Sequence, residues 1–228
     1  MMVESTFLID LFFRTLPLLA KGAVLTVEVL LCSVSLSFGL GMTFGILCCE
    51  EIKIPILSPV LQFITFILRA VPFYVQLLIV YFVLPDLIGV NLDVFSASFI
   101  ALGTCSSGYV CQIVRAGLNS IHPSQWEAAF VLGYNKIKML LYIILPQMLR
   151  NVLPALNNEF ESILKSTAIL SSIGMLELTR MGMNIVSREL KHPLAIYLIV
   201  AIFYVLMSLI LNFFAKNLEK RMMRKVRA

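Results

Sequence analysis

Long apolar runs separated by short polar segments make up most of this sequence. Five runs are long enough to cross a membrane, since a spanning helix needs about 20 mostly apolar residues. Inside hydrocarbon the backbone N–H and C=O groups must bond to one another, so each run is predicted to be a helix. The predicted spans are Leu18–Leu47, Pro55–Leu84, Phe95–Ala116, Pro146–Leu170 and Pro193–Phe214.

The composition agrees with a chain whose main solvent is lipid. Of its 228 residues, 60% are hydrophobic and 14% are charged, and the mean hydropathy is +0.94. Soluble domains carry about 25% charged residues. The first basic residue, Arg14, follows Glu4 and Asp10, so the N-terminal segment lacks the basic region of a signal peptide. The first long apolar run is therefore expected to remain in the protein as a helix. We therefore expect one all-α integral membrane domain covering residues 1–228.

The charges in the loops predict the orientation of the spans. The tail Lys216–Ala228 carries six basic residues and one acid, and basic segments favour the cytoplasmic side. The C-terminus is therefore predicted to be cytoplasmic, and five spans then place the N-terminus outside. Binding of nucleic acid is the other reading of a basic tail, but a topology anchor beside a span is the simpler one.

The remaining loops mostly fit this orientation. The loop after the second span has two acidic residues and no basic one, as expected on the outside: Asp86 and Asp93. The loop after the third span has three basic residues, as expected on the cytoplasmic side: Arg115, Lys136 and Lys138. The segment Thr179–Lys191 fits less well, because it would lie outside with three bases, partly offset by two acids: Arg180, Arg188 and Lys191 against Glu177 and Glu189.

Small residues and cysteines within the spans are expected to serve packing. Gly41 and Gly45 form a small face on the first span, which permits close helix approach; a gating bend is the alternative. The five cysteines form no C-x-x-C pair, and neither histidine has partners at ligand spacing, so no metal site is expected.

The loop between the third and fourth spans holds one conspicuous polar segment. Ser124 is predicted to cap a short helix, with Glu127 three residues later as its capping-box partner. Gly133 is predicted to stop this helix in the left-handed region, and Lys136–Ile144 leads back to the membrane at Pro146. The apolar side of the short helix consists of Trp126, Ala128, Ala129, Val131 and Leu132. The alternative to a functional role is an ordinary amphipathic helix at the membrane interface.

The spacing of this segment resembles a known motif. Glu127-Ala128-Ala129, three residues, Gly133, nine residues and Ile143-x-Leu145-Pro146 look like the EAA loop of ABC importer permeases, which would cover about residues 117–145. Further segments are similar to permeases for histidine, glutamine and arginine, and the resemblance runs from Gly22 to Phe214. These segments are Arg69-Ala70-Val71-Pro72…Gln76-Leu77, Arg115-x-Gly117-x-x-Ser120-Ile121, Leu145-Pro146-Gln147, Pro154-x-Leu156-x-Asn158 and Lys165-Ser166-Thr167.

The resemblance implies a type I ABC importer permease fold in the bacterial cytoplasmic membrane. It implies that Glu127, Ala128, Ala129 and Gly133 couple the chain to a cytoplasmic ATPase dimer. The implied further partners are a second copy or a sister permease and an extracytoplasmic amino-acid-binding protein. No glycine is followed directly by lysine, so the chain lacks a P-loop. ATP and Mg²⁺ would be used by the partner, and no cofactor or catalytic site is expected here.

Polar residues at membrane depth are candidates for the substrate pathway. They are Gln76, Gln112, Asn158, Glu159, Glu161 and Ser162. Asn158-Glu159 resembles an Asn-Glu pair of the cationic amino acid members, which favours a basic substrate such as arginine, with glutamine or histidine next. Pairing of Glu159 or Glu161 with Lys165 is the alternative, and for Gln76 it is a helix–helix hydrogen bond.

Two other classes compete with an importer permease. A passive channel or an ion-coupled carrier would need no docking helix, and inverted repeats would be expected, but no clear repeat is present. A membrane enzyme would need nucleophilic or acid–base residues at catalytic spacing, and no such cluster is evident in the sequence.

Overall fold

The computed structural model describes the backbone of residues 2–52, 54–188 and 192–224, with side chains from Phe12 to Met222 within these ranges. Over these residues the secondary structure is helical and contains no strand, as predicted. The helices are α1 Met2–Leu47, α2 Leu57–Ala70, α3 Phe73–Ile88, α4 Val94–Asn119, α5 Pro123–Val131, α6 Lys136–Ile173, α7 Leu178–Arg188 and α8 Pro193–Arg224. A π turn interrupts α3 at Ile79–Val83 and another interrupts α6 at Leu140–Ile144, while α6 ends in 3₁₀ geometry over Thr167–Ile173.

The apolar helices agree with about five spans. Within the described residues four helices are long and apolar enough to cross a membrane: α1 from Phe12, α4, α6 and α8. Helices α2 and α3 qualify only as a pair, so counting the pair gives the fifth span. The first helix begins earlier than predicted, at Met2, and continues through Pro17.

The second span, predicted as one helix over Pro55–Leu84, is broken into two. Helices α2 and α3 meet at an angle of 102°. The cause is Pro72, which disfavours helical geometry at the residue before it. Val71 is accordingly extended, with φ −84° and ψ 130°, and α2 ends one residue earlier, at Ala70.

The fourth span also differs from its prediction, because it begins at Lys136 and not at Pro146. The segment Lys136–Ile144 and the span form one helix that runs through the proline. A π turn over Leu140–Ile144 ends two residues before Pro146, and the backbone N–H of Leu145 donates to the carbonyl of Leu140. This wider turn leaves room for a ring that an α-helical turn would exclude.

Helix α4 is the centre of the bundle. It packs against α1, α2, α3 and α6, and 61% of its most apolar window is buried inside the protein. The contact with α1 is so close that only glycine fits at two positions. A Cβ added to Gly41 would lie 2.5 Å from a side-chain atom of Val110, and one added to Gly45 would lie 2.6 Å from a side-chain atom of Val114. The predicted small-residue packing face is thus confirmed.

The extended turn between α6 and α7 is fixed by a buried acid. Glu177 is fully buried, and its two carboxylate oxygens accept the backbone N–H groups of Thr179 and Arg180, each at 2.7 Å. The hydroxyl of Tyr204 on α8 also donates to it, at 3.2 Å. Burial raises the pKa of Glu177, and these hydrogen bonds oppose the rise. The acid therefore caps α7 and ties it to α8.

Part of the charge pattern used for orientation lies outside the described residues, namely Glu189, Lys191, Lys225 and Arg227. The orientation of the two termini consequently stays a prediction.

Candidate functional site

A polar cavity lies at the break between α2 and α3. Its volume is about 460 Å³, and α2, α3, α4 and α6 all contribute to its wall. The break itself forms one side, from Arg69 to Phe73, and Glu159 and Ser162 of α6 form another. A discontinuous helix exposes backbone polar groups at membrane depth, which is tolerated where they line a cavity. We call this space the break cavity.

Glu159 is held in the wall of the break cavity by a chain of hydroxyl groups. Ser106 on α4 donates to Glu159 Oε1 at 2.6 Å, and buried Ser37 on α1 donates to Ser106 at 3.2 Å. Among the described residues no donor lies on Glu159 Oε2. The carboxylate is thus fixed through one oxygen and retains the other for a ligand with N–H donors.

Gln76 lies behind this wall and not in it. Its Nε2 donates to the backbone carbonyls of Leu68 at 2.7 Å and Val71 at 2.8 Å. These carbonyls end α2 and lack helical partners, since the chain turns away at Pro72. The geometry matches the helix-linking alternative for Gln76, and the residue stabilises the break.

Gln112 lines a second polar cavity of about 330 Å³, which we call the basic cavity. It accepts a hydrogen bond from Arg69 Nη1 at 2.6 Å. The charged side chains around this cavity are Arg69 and Arg115, and no carboxylate lines it.

The other predicted pathway residues on α6 are dispersed. Glu161 accepts a hydrogen bond from Asn212 of α8 at 3.2 Å and lies 4.0 Å from Lys165, which is the internal pairing weighed for it. Asn158 is exposed and lines neither cavity. Of the six predicted pathway residues, the structure thus brings only Glu159 and Ser162 together in one cavity.

Sequence reasoning missed Arg69, Ser106 and Tyr109 as members of this site. Arg69 could have been found from the sequence, because an arginine at membrane depth is itself a functional signal. Ser106 gave a weaker signal, because serine within a span often bonds to its own helix.

The start of the polar loop helix α5 differs from its prediction. The cap is His122, whose Nδ1 accepts the backbone N–H of Ser124 at 3.2 Å, so the prediction of Ser124 as cap with Glu127 as partner is wrong. The physical reason is Pro123, which fits the first helical position since its missing N–H is not needed there. Ser124 instead shares a 2.7 Å hydrogen bond with the His122 ring.

The end of α5 agrees with the sequence. Gly133 has φ +79°, and the N–H of Tyr134 donates to the carbonyl of Ala129 at 3.1 Å. The N–H of Gly133 itself donates to Phe130 at 2.9 Å. This is a left-handed glycine cap, which confirms the predicted helix stop.

Helix α5 divides its apolar residues between two faces. Trp126 and Ala129 are buried against the first turns of α6 and the end of α4. Phe130, Val131 and Leu132 are exposed at 75%, 84% and 73%. Beside them lies a groove of about 450 Å³ whose wall includes Glu51, Glu127 and Lys136. An exposed apolar patch with a charged rim is typical of a surface that contacts another protein.

Comparison with protein families places this geometry in context. Residues 41–224 match the model of the family described as "binding-protein-dependent transport system inner membrane component". The chain is 34% identical over 210 residues to the arginine transport system permease protein ArtQ of Bacillus subtilis (strain 168), covering 91% of this chain and 93% of that protein. It is 31% identical over 214 residues to the glutamine transport system permease protein GlnP of Escherichia coli (strain K12), covering 91% and 94%.

Solved structures give the same picture. A crystal structure of an amino acid ABC transporter with histidines contains a chain 33% identical in sequence, with a TM-score of 0.82 and coverage of 92% of this chain and 96% of that chain. A chain of the inward-facing MetNI methionine ABC transporter, at 17% identity and a TM-score of 0.79, shares the fold, with coverage of 92% and 98%.

Proposed function

Since the chain belongs to the family of binding-protein-dependent transport system inner membrane components, we propose that it is the permease of an ATP-driven amino acid importer. The proposed substrates are polar amino acids, with a basic one such as arginine favoured and glutamine or histidine next. The chain is a multi-pass protein of the bacterial inner membrane, and energy would come from a separate ATPase that uses ATP and Mg²⁺.

The observation that carries this proposal is the break cavity with Glu159 in its wall. Free amino acids combine an ammonium group, a carboxylate and a side chain within a few ångströms. The cavity offers one carboxylate, Glu159, and one guanidinium, Arg69, together with the hydroxyls of Ser162 and Tyr109. Opposite charges on two walls suit a zwitterion, and the free oxygen of Glu159 suits a cationic side chain.

The names of the relatives support the substrate class. One relative is a permease for arginine and another is a permease for glutamine. A cationic and a neutral polar side chain both fit a cavity with hydroxyl groups, but only a cationic side chain would form a charge-assisted hydrogen bond with the free oxygen of Glu159. This is the reason for placing a basic amino acid first.

The proposed mechanism is alternating access driven from the polar loop. The exposed patch of α5 would dock on the ATPase, and Glu127, Ala128, Ala129 and Gly133 would set its shape. Because α5 packs through Trp126 and Ala129 on the cluster that contains Ile144 and Met148 of α6, movement of α5 would be passed to α6. Helix α6 carries Glu159, so the same movement reaches the break cavity.

The proposed assembly contains two permease subunits, as two copies or with a sister chain, and an extracytoplasmic binding protein that delivers the substrate. A ligand drives such a transporter only when it binds its states unequally. The binding protein and the ATPase would supply that difference from opposite sides of the membrane.

The test is reconstitution of the chain in lipid with the ATPase and binding protein encoded with it. ATP hydrolysis is measured with each common amino acid, with and without the binding protein. Stimulation by one amino acid only in the presence of the binding protein is the expected result and identifies the substrate. Uptake without any ATPase would favour an ion-coupled carrier and would overturn the proposal.

A further inference from the structure

Arg69 lies between the break cavity and the basic cavity. It lines both, and among the described residues it is the only side chain common to the two. On the break side the charged neighbour across the cavity is Glu159, and on the other side it is Arg115. Arg69 is thus the side chain at which the two spaces adjoin.

Hydrogen bonds hold Arg69 between the two cavities. Its Nη1 donates to Gln112 Oε1 at 2.6 Å, which links the end of α2 to α4. Its Nε donates to the backbone carbonyl of Thr65 at 3.2 Å, and the Tyr109 hydroxyl donates to the Arg69 carbonyl at 3.4 Å. Among the described residues Arg69 makes no ion pair, so Gln112 is its one side-chain acceptor there.

The nature of this acceptor matters for movement. A guanidinium bonded to a neutral amide is held less strongly than one bonded to a carboxylate. The Arg69–Gln112 bond can therefore form and break during a cycle, whereas a guanidinium–carboxylate pair would resist opening. Arg69 also lies in the last turn of α2, two residues before the extended residue Val71, where helical hydrogen bonding of the backbone ends.

The charges of the two cavities differ in a way that fits a transported amino acid. The break cavity has one acid and one base, whereas the basic cavity has two bases and no acid. The positive charge of the basic cavity attracts the carboxylate of an amino acid, and the negative charge of Glu159 attracts its cationic groups.

We propose that the Arg69–Gln112 hydrogen bond is an internal barrier of the translocation pathway, and that the basic cavity beyond it receives the substrate carboxylate. This proposal rests on the proposed function. It adds Arg69 and Gln112 as positioning residues and the basic cavity as a second binding site for the substrate. Arg69 and Gln112 keep the path closed between the cavities when the bond is intact.

The experiment measures leak and driven transport separately in proteoliposomes that contain the permease, its ATPase and its binding protein. The vesicles are loaded with radiolabelled arginine or glutamine, and efflux is followed without ATP. Gln112→Leu removes the acceptor, and we expect ATP-independent efflux to rise about tenfold, as for loss of a charge-assisted hydrogen bond. Gln112→Glu creates an ion pair, and we expect ATP-driven uptake to fall while the leak stays at the wild-type level.

A matched control and a rescue separate the barrier from general loosening. Gln62→Leu changes a residue of the same type in the same cavity that makes no side-chain hydrogen bond to Arg69, and it should not leak. Arg69→Gln should leak, and the reversed pair Arg69→Gln with Gln112→Arg should close the path again. Wild-type leak in both Gln112→Leu and Arg69→Gln, or equal leak in Gln62→Leu, would overturn the proposal.

The outcome for the barrier is distinguishable from the outcome for the proposed function. If wild-type vesicles show no ATP-driven uptake of any amino acid, the proposed function fails. The leak comparison between Gln112→Leu and Gln62→Leu still reports whether the Arg69–Gln112 bond closes a path.

Discussion

At the residue scale, the carboxylate of Glu159 is the most specific chemical feature of the break cavity. Only one of its oxygens is engaged, by Ser106. We expect Glu159→Gln to reduce uptake of arginine about tenfold more than uptake of glutamine, because only the cation loses a charge-assisted bond. Initial uptake rates in vesicles, with substrate concentration varied, would measure this.

The control for this prediction is Glu161→Gln on the same helix. Glu161 lies between Asn212 and Lys165, away from the cavity, so its substitution should not discriminate between the two substrates. Equal losses for arginine and glutamine in Glu159→Gln would mean that the acid has a structural role.

Gly133 provides a second prediction at this scale. Its φ of +79° is unfavourable for other residues, most of all for a β-branched one. We expect Gly133→Val to lose about 1–2 kcal/mol of folding free energy and to lower transport per ATP hydrolysed. Gly89 has φ +68° and open space around it, so Gly89→Val supplies the same strain outside the polar loop. If both variants kept wild-type coupling, Gly133 would have no special role in it.

At the scale of elements, the contact between α1 and α4 depends on glycine. We expect Gly45→Ala to destabilise the protein by about 1–3 kcal/mol, since its Cβ would lie 2.6 Å from Val114 Cγ1 and 3.0 Å from the carbonyl oxygen of Cys111. Thermal unfolding in detergent micelles would show this as a lower midpoint. Gly39→Ala on the same helix meets nothing within 4 Å and should be neutral. Equal midpoints for the two variants would contradict close packing.

The burial of Glu177 predicts a pH dependence of stability. Burial raises the pKa of Glu177, so the folded state binds this proton more tightly than the unfolded state does. The associated stability is fully present below the unfolded pKa and is lost as pH rises through the folded one. We therefore expect acidification below neutral pH to stabilise the wild type relative to Glu177→Gln, whose amide does not titrate. Unfolding midpoints over a pH series would measure the difference, and parallel curves would contradict it.

The elements were predictable from sequence to different degrees. Apolar run length identified the spans because lipid permits little besides helices, and the glycine cap at Gly133 followed from its local chemistry. The break at Pro72 was signalled by one proline, yet a bend also needs Gln76 to bond the freed carbonyls, and that contact is tertiary. The break cavity could not be predicted for the same reason, as Ser37, Ser106 and Glu159 lie on three different helices.

At the scale of the whole molecule, the orientation in the membrane sets which cavity faces which side. The charge pattern predicts a cytoplasmic C-terminus and an outside N-terminus. We expect a tag at the C-terminus to be digested by protease only in inside-out vesicles and a tag at the N-terminus only in right-side-out ones. Digestion of both tags from the same side would mean that the number of crossings is even.

The bend between α2 and α3 also constrains how the chain enters the membrane during synthesis. Helix α2 has 14 residues and rises about 21 Å, which is less than the roughly 30 Å of a hydrocarbon core. Neither half of the bent pair continues straight into the other, so the pair contains no single straight helix across that core. Both halves pack on α4, which is synthesised after them. We therefore expect stable insertion of the pair to depend on α4, which supplies the surface on which both halves pack.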